Sequence, residues 1–197
     1  MSDLKKMTEE EFGDLLFDLD ADGRDAFVEF DFSNRDLSEL DFQNLINKFV
    51  RCNFSGSDMT GVNMYEAKFF SCDFTNTKLD KAKGEKSQIA HCDFSNASMI
   101  GIDFTEAEIY GTSFDGANLS SANFTQADLQ LSTLICANLT NAILNDTLVR
   151  NTLFTNSDVS GVDFASTMLN GYSFNALKET KNLDLTSRKD AGLTTLV

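Results

Sequence analysis

Apolar side chains return every fifth residue over most of this 197-residue chain. Counted from Phe49, the beat falls on Phe54, Met59, Met64, Phe69, Phe74 and Leu79, then on Ile89, Phe94, Met99 and Phe104, and it runs on to Phe174. Two residues before each of these centres the side chain is usually small, as at Cys52, Ser57, Ala67, Cys72, Ala97, Ala107 and Ala117. The residue between them is polar, often Asp or Asn. A period of five fits neither the 3.6 of a helix nor the 2 of an ordinary strand, so each unit closes its core only by stacking on others. Phenylalanine recurs at twenty-residue steps, at Phe54, Phe74, Phe94 and Phe114, which makes four units one coil.

Sorted by fours, one column reads Phe54, Phe74, Phe94, Phe114, Leu134, Phe154, Phe174, and the opposite one Met64, Gly84, Phe104, Phe124, Leu144, Phe164. Like rings stacked at the strand spacing of about 4.8 Å would fill the interior without long-range contacts in sequence. Gly84 takes a core side chain away from one coil, among the charged Lys81, Lys83, Glu85 and Lys86, and predicts a distorted corner or a small protruding loop. Upstream, Phe27, Phe32, Leu37 and Phe42 also step by five, but Phe42 to Phe49 is seven, which places a two-residue insertion around Leu45 and Ile46. The whole count predicts a rod of roughly 36 Å.

Before the beat begins, Thr8 and Glu11 stand at capping-box positions, and Phe12, Leu15 and Leu16 share one helical face. A short helix covering the open end of the stack is the expectation. It runs into Asp18, Asp20, Asp22 and Gly23, with Glu29 at the twelfth place, the spacing of a calcium loop. The candidate Ca²⁺ ligands are Asp18, Asp20, Asp22, Arg24 and Glu29. Asp25 sits where that pattern has an aliphatic residue, and the beat from Phe27 leaves no exiting helix. An acidic turn joining the helix to the first coil fits the same residues.

The units Ala117-Asn118-Leu119, Ala122-Asn123-Phe124, Ala127-Asp128-Leu129 and Ala137-Asn138-Leu139 resemble the A(D/N)LXX repeats of the pentapeptide-repeat family. The resemblance implies an all-β solenoid, a right-handed quadrilateral β-helix of seven to eight coils, here with the N-terminal helical cap. Residues 1–26 are read as that cap and turn, 27–176 as the repeat, and 177–197 as a C-terminal tail. Members resembling the quinolone-resistance and topoisomerase-poison immunity proteins act as DNA mimics that enter the DNA-binding saddle of gyrase. Other members serve as scaffolds for a dedicated protein partner.

Charge narrows the partners. The net charge is -15, with 14 acids against 4 bases in residues 1–46 and 9 against 1 in 87–175, while 47–86 is mildly basic at 7 bases against 5 acids. Such a chain is not expected to bind nucleic acid directly, whereas a protein that itself binds polyanions fits. The outward acids Glu66, Glu85, Asp103, Glu106, Asp146 and Asp163 lie on one face and are compatible with gyrase, against which the basic zone counts. No apolar run reaches membrane length, and the first residues lack the apolar stretch of a secretion signal, so the expected place is the cytoplasm, with no membrane partner.

Chemistry finds little purchase under this register. Cys52, Cys72 and Cys92 fall in one column at the small inward position, where three thiols in line do not converge on a tetrahedral metal. They read as buried free thiols, and His91 beside Cys92 forms no nucleophile pair without breaking register. No enzyme activity and no obligate cofactor are expected. The outward positions with unexpected apolar residues are Leu131, Ile135, Leu148, Leu153 and Met168 on two adjacent faces, with Phe70 and Tyr110 further along one of them. That strip fits a partner-binding or homodimer interface, or the footprint of a covering C-terminal tail.

Overall fold

Each unit turns its apolar centre and the small residue two before it inward, and the chain bends at a corner after every unit. The result is a four-sided β-solenoid of about seven turns entered through a helix. The structure is a computed structural model that describes residues 5–38, 40–43, 47–177 and 179–184. Its elements are β1 (Lys5–Lys6), α1 (Glu9–Ala21), β2 (Phe27–Val28), β3 (Arg35–Asp36), β4 (Lys48–Val50), β5 (Lys68–Phe70), β6 (Gln88–Ala90), β7 (Glu108–Tyr110), β8 (Asp128–Gln130), β9 (Leu148–Arg150), β10 (Met168–Leu169) and α2 (Gly171–Leu177).

Side 1 of the tube is an eight-stranded parallel sheet in which β2 and then β4 to β10 follow one another. Sides 2, 3 and 4 are held by single bridges, such as Asn53 to Asp73, Asp58 to Lys78 and Asn63 to Lys83. Above the first coil the offset is twenty, as in Lys48 to Lys68. The first coil pairs with the second at an offset of twenty-two, Phe27 to Phe49 and Asp41 to Asn63, so the two extra residues lie between Asp41 and Lys48. Leu45 and Ile46 themselves lie outside the described residues.

In-register stacking brings like side chains together. On side 2 the rings of Phe32, Phe54, Phe74, Phe94 and Phe114 pile up with centroids 4.5–5.3 Å apart and planes within 14°. On side 1, Phe27, Phe49 and Phe69 do the same at 4.9 and 5.0 Å. Each such pair adds about 0.5–1.5 kcal/mol beyond its buried area. The thiols of Cys52, Cys72 and Cys92 are buried and free, and donate to the carbonyls of Phe27, Phe49 and Phe69 in the coil below. The bond to Cys72, together with burial, pushes the Cys52 thiol well above its ordinary value, so it stays protonated.

Gly84 departs from the expected loop. Its coil is regular: Lys83 bridges Asn63 below and Asp103 above, and the Gly84 N–H donates to the Asp103 carbonyl at 2.7 Å. A Cβ on Gly84 would meet the Phe104 ring at 2.7 Å, so the neighbouring ring leans into the space that glycine leaves. The tilt of Phe104 against Phe124, 35° where the side 2 stacks stay nearly parallel, agrees with that lean.

Corners explain the polar residue of each unit. Every fifth residue from Arg51 to Gly161 has φ between 53° and 72°, the left-handed region that Gly and Asn enter most easily. On sides 2 to 4 the N–H just after each centre finds no ladder carbonyl among the described residues. Where an Asp or Asn stands just before the centre it takes that N–H, as in Ser55 to Asn53 at 2.9 Å, Thr75 to Asp73 at 2.8 Å and Thr125 to Asn123 at 3.0 Å. These are Asx turns built into the wall of the solenoid. The N–H groups of Ile100 and Ile135 donate instead to Asp80 and Asp115 of the coil below.

Both ends are closed. The Thr8–Glu11 capping box is formed, and Phe12 of α1 stacks on Phe27 at 5.5 Å while β1 pairs with β3. At the other end the beat would place a last centre at Phe174, but that residue falls within α2, and its side chain is outside the described part. The chain then returns, and Lys181 bridges Asp158. Covered edges keep the stack from adding further strands.

Gly84→Ala is expected to lower unfolding free energy by about 1–3 kcal/mol through overpacking, and Phe104→Leu in the same chain to recover part of that, both read from denaturant titration. The Asx carboxylates set an acid limit. At Asp58 burial works against the charge, but the Thr60 hydroxyl and N–H and Lys78 outweigh it and hold the carboxyl below its ordinary 3.8. At Asp158 the Ser160 hydroxyl, the Asn182 amide and the Ser160 N–H do the same. A depressed folded value means that this stabilisation is complete above pH 3.8 and is lost as pH falls below it. The melting temperature is therefore expected to fall as pH drops below about 4, and less steeply in an Asp58→Asn, Asp158→Asn variant, whose amide oxygens accept at any pH.

Candidate functional site

The candidate calcium residues are not brought together. Asp18 and Asp20 lie within α1, and Asp22 is its C-cap. The Gly23 N–H donates to the Asp20 carbonyl at 2.9 Å and the Arg24 N–H to the Leu19 carbonyl at 2.9 Å, with Gly23 at φ 65°. Those two bonds and the left-handed glycine are a Schellman helix end. The glycine that would make the sharp turn of a calcium loop here terminates a helix. Arg24 pairs with Asp22, and Glu29 with Arg51 at 2.8 Å. No cluster of three acidic, His or Cys side chains able to hold a metal occurs among the described residues.

The six acids assigned to one face do share side 4 or its trailing corner, but not as a free stripe. Asp103 accepts from the Thr105 N–H and hydroxyl, and Asp163 from the Ala165 N–H, both as Asx turns. Lys83 and Lys86 stand among them, and Lys86 lies 3.9 Å from Glu106 and over the Tyr65 ring. Glu85 is half-buried, with one carboxylate oxygen lacking a hydrogen-bond partner. Glu66 and Asp146 occupy left-handed corners.

Side 1 is built differently. Its ladder spans three consecutive residues per coil, so the residue after the centre lies inside the sheet and needs no Asx side chain. The position before the centre is accordingly free to vary, and it reads Lys48, Lys68, Gln88, Glu108, Asp128, Leu148, Met168. The position after the centre reads Val28, Val50, Phe70, Ala90, Tyr110, followed by Gln130 and Arg150. Five apolar side chains thus stand one above another on the outer surface of β2 and β4 to β7, with Val28 43% and Tyr110 45% exposed.

The apolar strip read from sequence divides on this geometry. Phe70 and Tyr110 belong to that column, Leu148 and Met168 pair in the other column of side 1, and Leu131 stands 46% exposed at the next corner. Ile135 and Leu153 lie around that corner on side 2 and are half-buried. Leu153 lines a shallow cleft with Tyr172, Asn175, Ala176 and Glu179, so the C-terminal segment accounts for this one residue. It does not account for the side 1 column. Val28, Val50 and Ala90 were missed because each is unremarkable alone, although sorting the residue after each side 1 centre in steps of twenty, and twenty-two at the first coil, would have found them.

Pentapeptide repeats match this chain in eight copies over residues 48–83, 87–126 and 132–171. Among solved structures the chain is similar to trypsin-treated QnrB1, a plasmid-mediated fluoroquinolone resistance protein, at 21% identity and a TM-score of 0.44, over 72% of this chain and 74% of that one. It is also similar to a pentapeptide repeat protein of the Arabidopsis thaliana thylakoid lumen, at 22% identity and a TM-score of 0.35, over 72% and 91% of the two chains. HetL, involved in heterocyst differentiation regulation in the cyanobacterium Nostoc sp. strain PCC 7120, is 18% identical with a TM-score of 0.31, over 84% and 96%. These likenesses concern the fold alone. None of the curated proteins matches.

The helix-end geometry separates two roles for the acidic turn. Gly23→Ala, forced to keep φ near 65°, is expected to cost about 1 kcal/mol. Glu29→Gln, which would destroy a calcium loop, is expected to change stability by less than about 0.5 kcal/mol with or without millimolar calcium, as measured by thermal unfolding.

Proposed function

The chain belongs to the pentapeptide-repeat family, and we propose that it works without catalysis, as a cytoplasmic protein-binding rod whose contact surface is side 1. The observation that carries this reading is the apolar column Val28, Val50, Phe70, Ala90 and Tyr110 on the side whose continuous ladder leaves no backbone N–H for its outward residues to satisfy. Away from side 1 and its corner, the exposed large apolar residues among those described stand singly: Phe17 on α1, Ile100 on side 3, Ile143 on side 4 and Tyr172 on α2. A stacked column on a continuous sheet presents aromatic and β-branched surface already fixed in place, which lowers the ordering cost of docking.

A DNA mimic directed at gyrase would need free carboxylates at regular steps along one face. Side 4 supports that reading poorly, since Lys83 and Lys86 interrupt its acids and Asp103 and Asp163 are bonded to their own backbone. A calcium-responsive scaffold has no support from a turn that ends a helix. No helix among the described residues is long and apolar enough to cross a membrane.

Replacing Phe70 and Tyr110 together by Glu is expected to abolish capture of the partner from lysate while leaving the melting temperature within a few degrees, because both side chains face outward. Undiminished capture by that variant, with loss instead on substituting the side 4 acids, would transfer the site to side 4.

A further inference from the structure

We propose that the occupant of side 1 is a second copy of this chain, lying antiparallel across the sheet about a two-fold axis that runs along β6. The proposal rests on the reading of side 1 as the contact surface and names its partner.

Charge along the column before the centres is the starting observation. Lys48 lies in register beside Lys68, and Glu108 beside Asp128, each pair at the closest spacing in a parallel sheet. Like charges so placed are unfavourable within one molecule. Gln88 of β6 separates the two pairs. Turning a second rod end over end about β6 keeps each column opposite itself and reverses its order. Lys68 then faces Glu108 of the other copy, Lys48 faces Asp128, and Gln88 meets Gln88.

In the neighbouring column the same rotation matches the central three strands, while Val50 comes opposite Gln130 and Val28 opposite Arg150. Phe70 faces Tyr110 of the other copy, and Ala90, the smallest side chain of that column, meets Ala90 on the axis where the sheets approach most closely. Two sheets packed about 10 Å apart leave the reach that Lys–Glu and Phe–Tyr contacts span. A parallel arrangement, with the axis along the rod, would set each charge column against the apolar column instead. Antiparallel pairing is therefore the arrangement that sets opposite charges face to face and joins the aromatic residues. Lys48 also has Asp25 at 3.2 Å, and the Asp128 carboxylate accepts from Gln130 at 2.7 Å, which leaves Lys68 and Glu108 as the decisive contact.

The sheet face covers roughly 400–500 Å² per copy, well under the 800 Å² of a standard interface, so the dimer is expected to be reversible and concentration-dependent. Sedimentation of the full chain over a concentration series should show monomer and dimer in exchange, with the dimer weakened by salt. Lys68→Glu and Glu108→Lys should each weaken it about tenfold or more, since each reversal acts twice across the axis. The double variant carrying both should regain wild-type association, and an equimolar mixture of the two single variants should form heterodimers. Each reversal removes a like-charge neighbour within its own sheet, so the variants are expected to melt no lower than wild type, which separates lost pairing from lost folding. A chain that stays monomeric at every concentration, or a dimer indifferent to both reversals, overturns the proposal. Should the chain be monomeric while the Phe70 and Tyr110 variant still loses capture of another protein, self-pairing fails and the side 1 reading stands; if that capture too is indifferent, both fail.

Discussion

Each coil rests on the one below in register, residue over residue twenty positions apart, and nearly everything else in the molecule follows from that. Because like lies on like, a single type of apolar centre can fill the lumen as a column of parallel rings, as Phe54, Phe74, Phe94 and Phe114 do. The same register makes a defect in one coil a matter for its neighbour. Gly84 is filled by Phe104 from the coil above, without any local distortion of the chain.

Register also divides the surface into two kinds. On three sides the backbone leaves an N–H without a ladder partner after each centre, and an outward Asp or Asn, at most of these positions, is committed to satisfying it. On the fourth the three-residue ladder takes up that group, and the outward residues are released from the task. Variation concentrates there, in a charge gradient and an apolar column that the stability of the fold does not demand. A surface whose residues are not required by the solenoid is where a requirement from outside the molecule can be written.

The five-residue beat carried most of the architecture because each unit repeats the same local instruction, and stacked units need no contact distant in sequence. The N-terminal helix was legible for a similar reason, since the Thr8–Glu11 box and the spacing of Phe12, Leu15 and Leu16 are local signals. Ambiguity arose where one string of residues serves two local geometries. The acids before Gly23 match the spacing of a calcium loop, and in the structure Gly23 ends α1 in a Schellman turn while Leu19 and Phe12 bury the helix against the first coil. The helix α2 stands where the beat would place a final unit at Phe174.

By itself, the sequence determined the coil length, the inward columns and the closure of the N-terminal end, all of which follow from period and side-chain size. What only the tertiary structure decided is which outward residues are committed and which are free. That depends on whether the backbone after each centre finds a carbonyl in the adjacent coil, a property of four sides with nearly identical sequence rules and different hydrogen bonding. Val28, Val50 and Ala90 became part of a surface, and Asp103 and Asp163 ceased to be free charges, for that one reason.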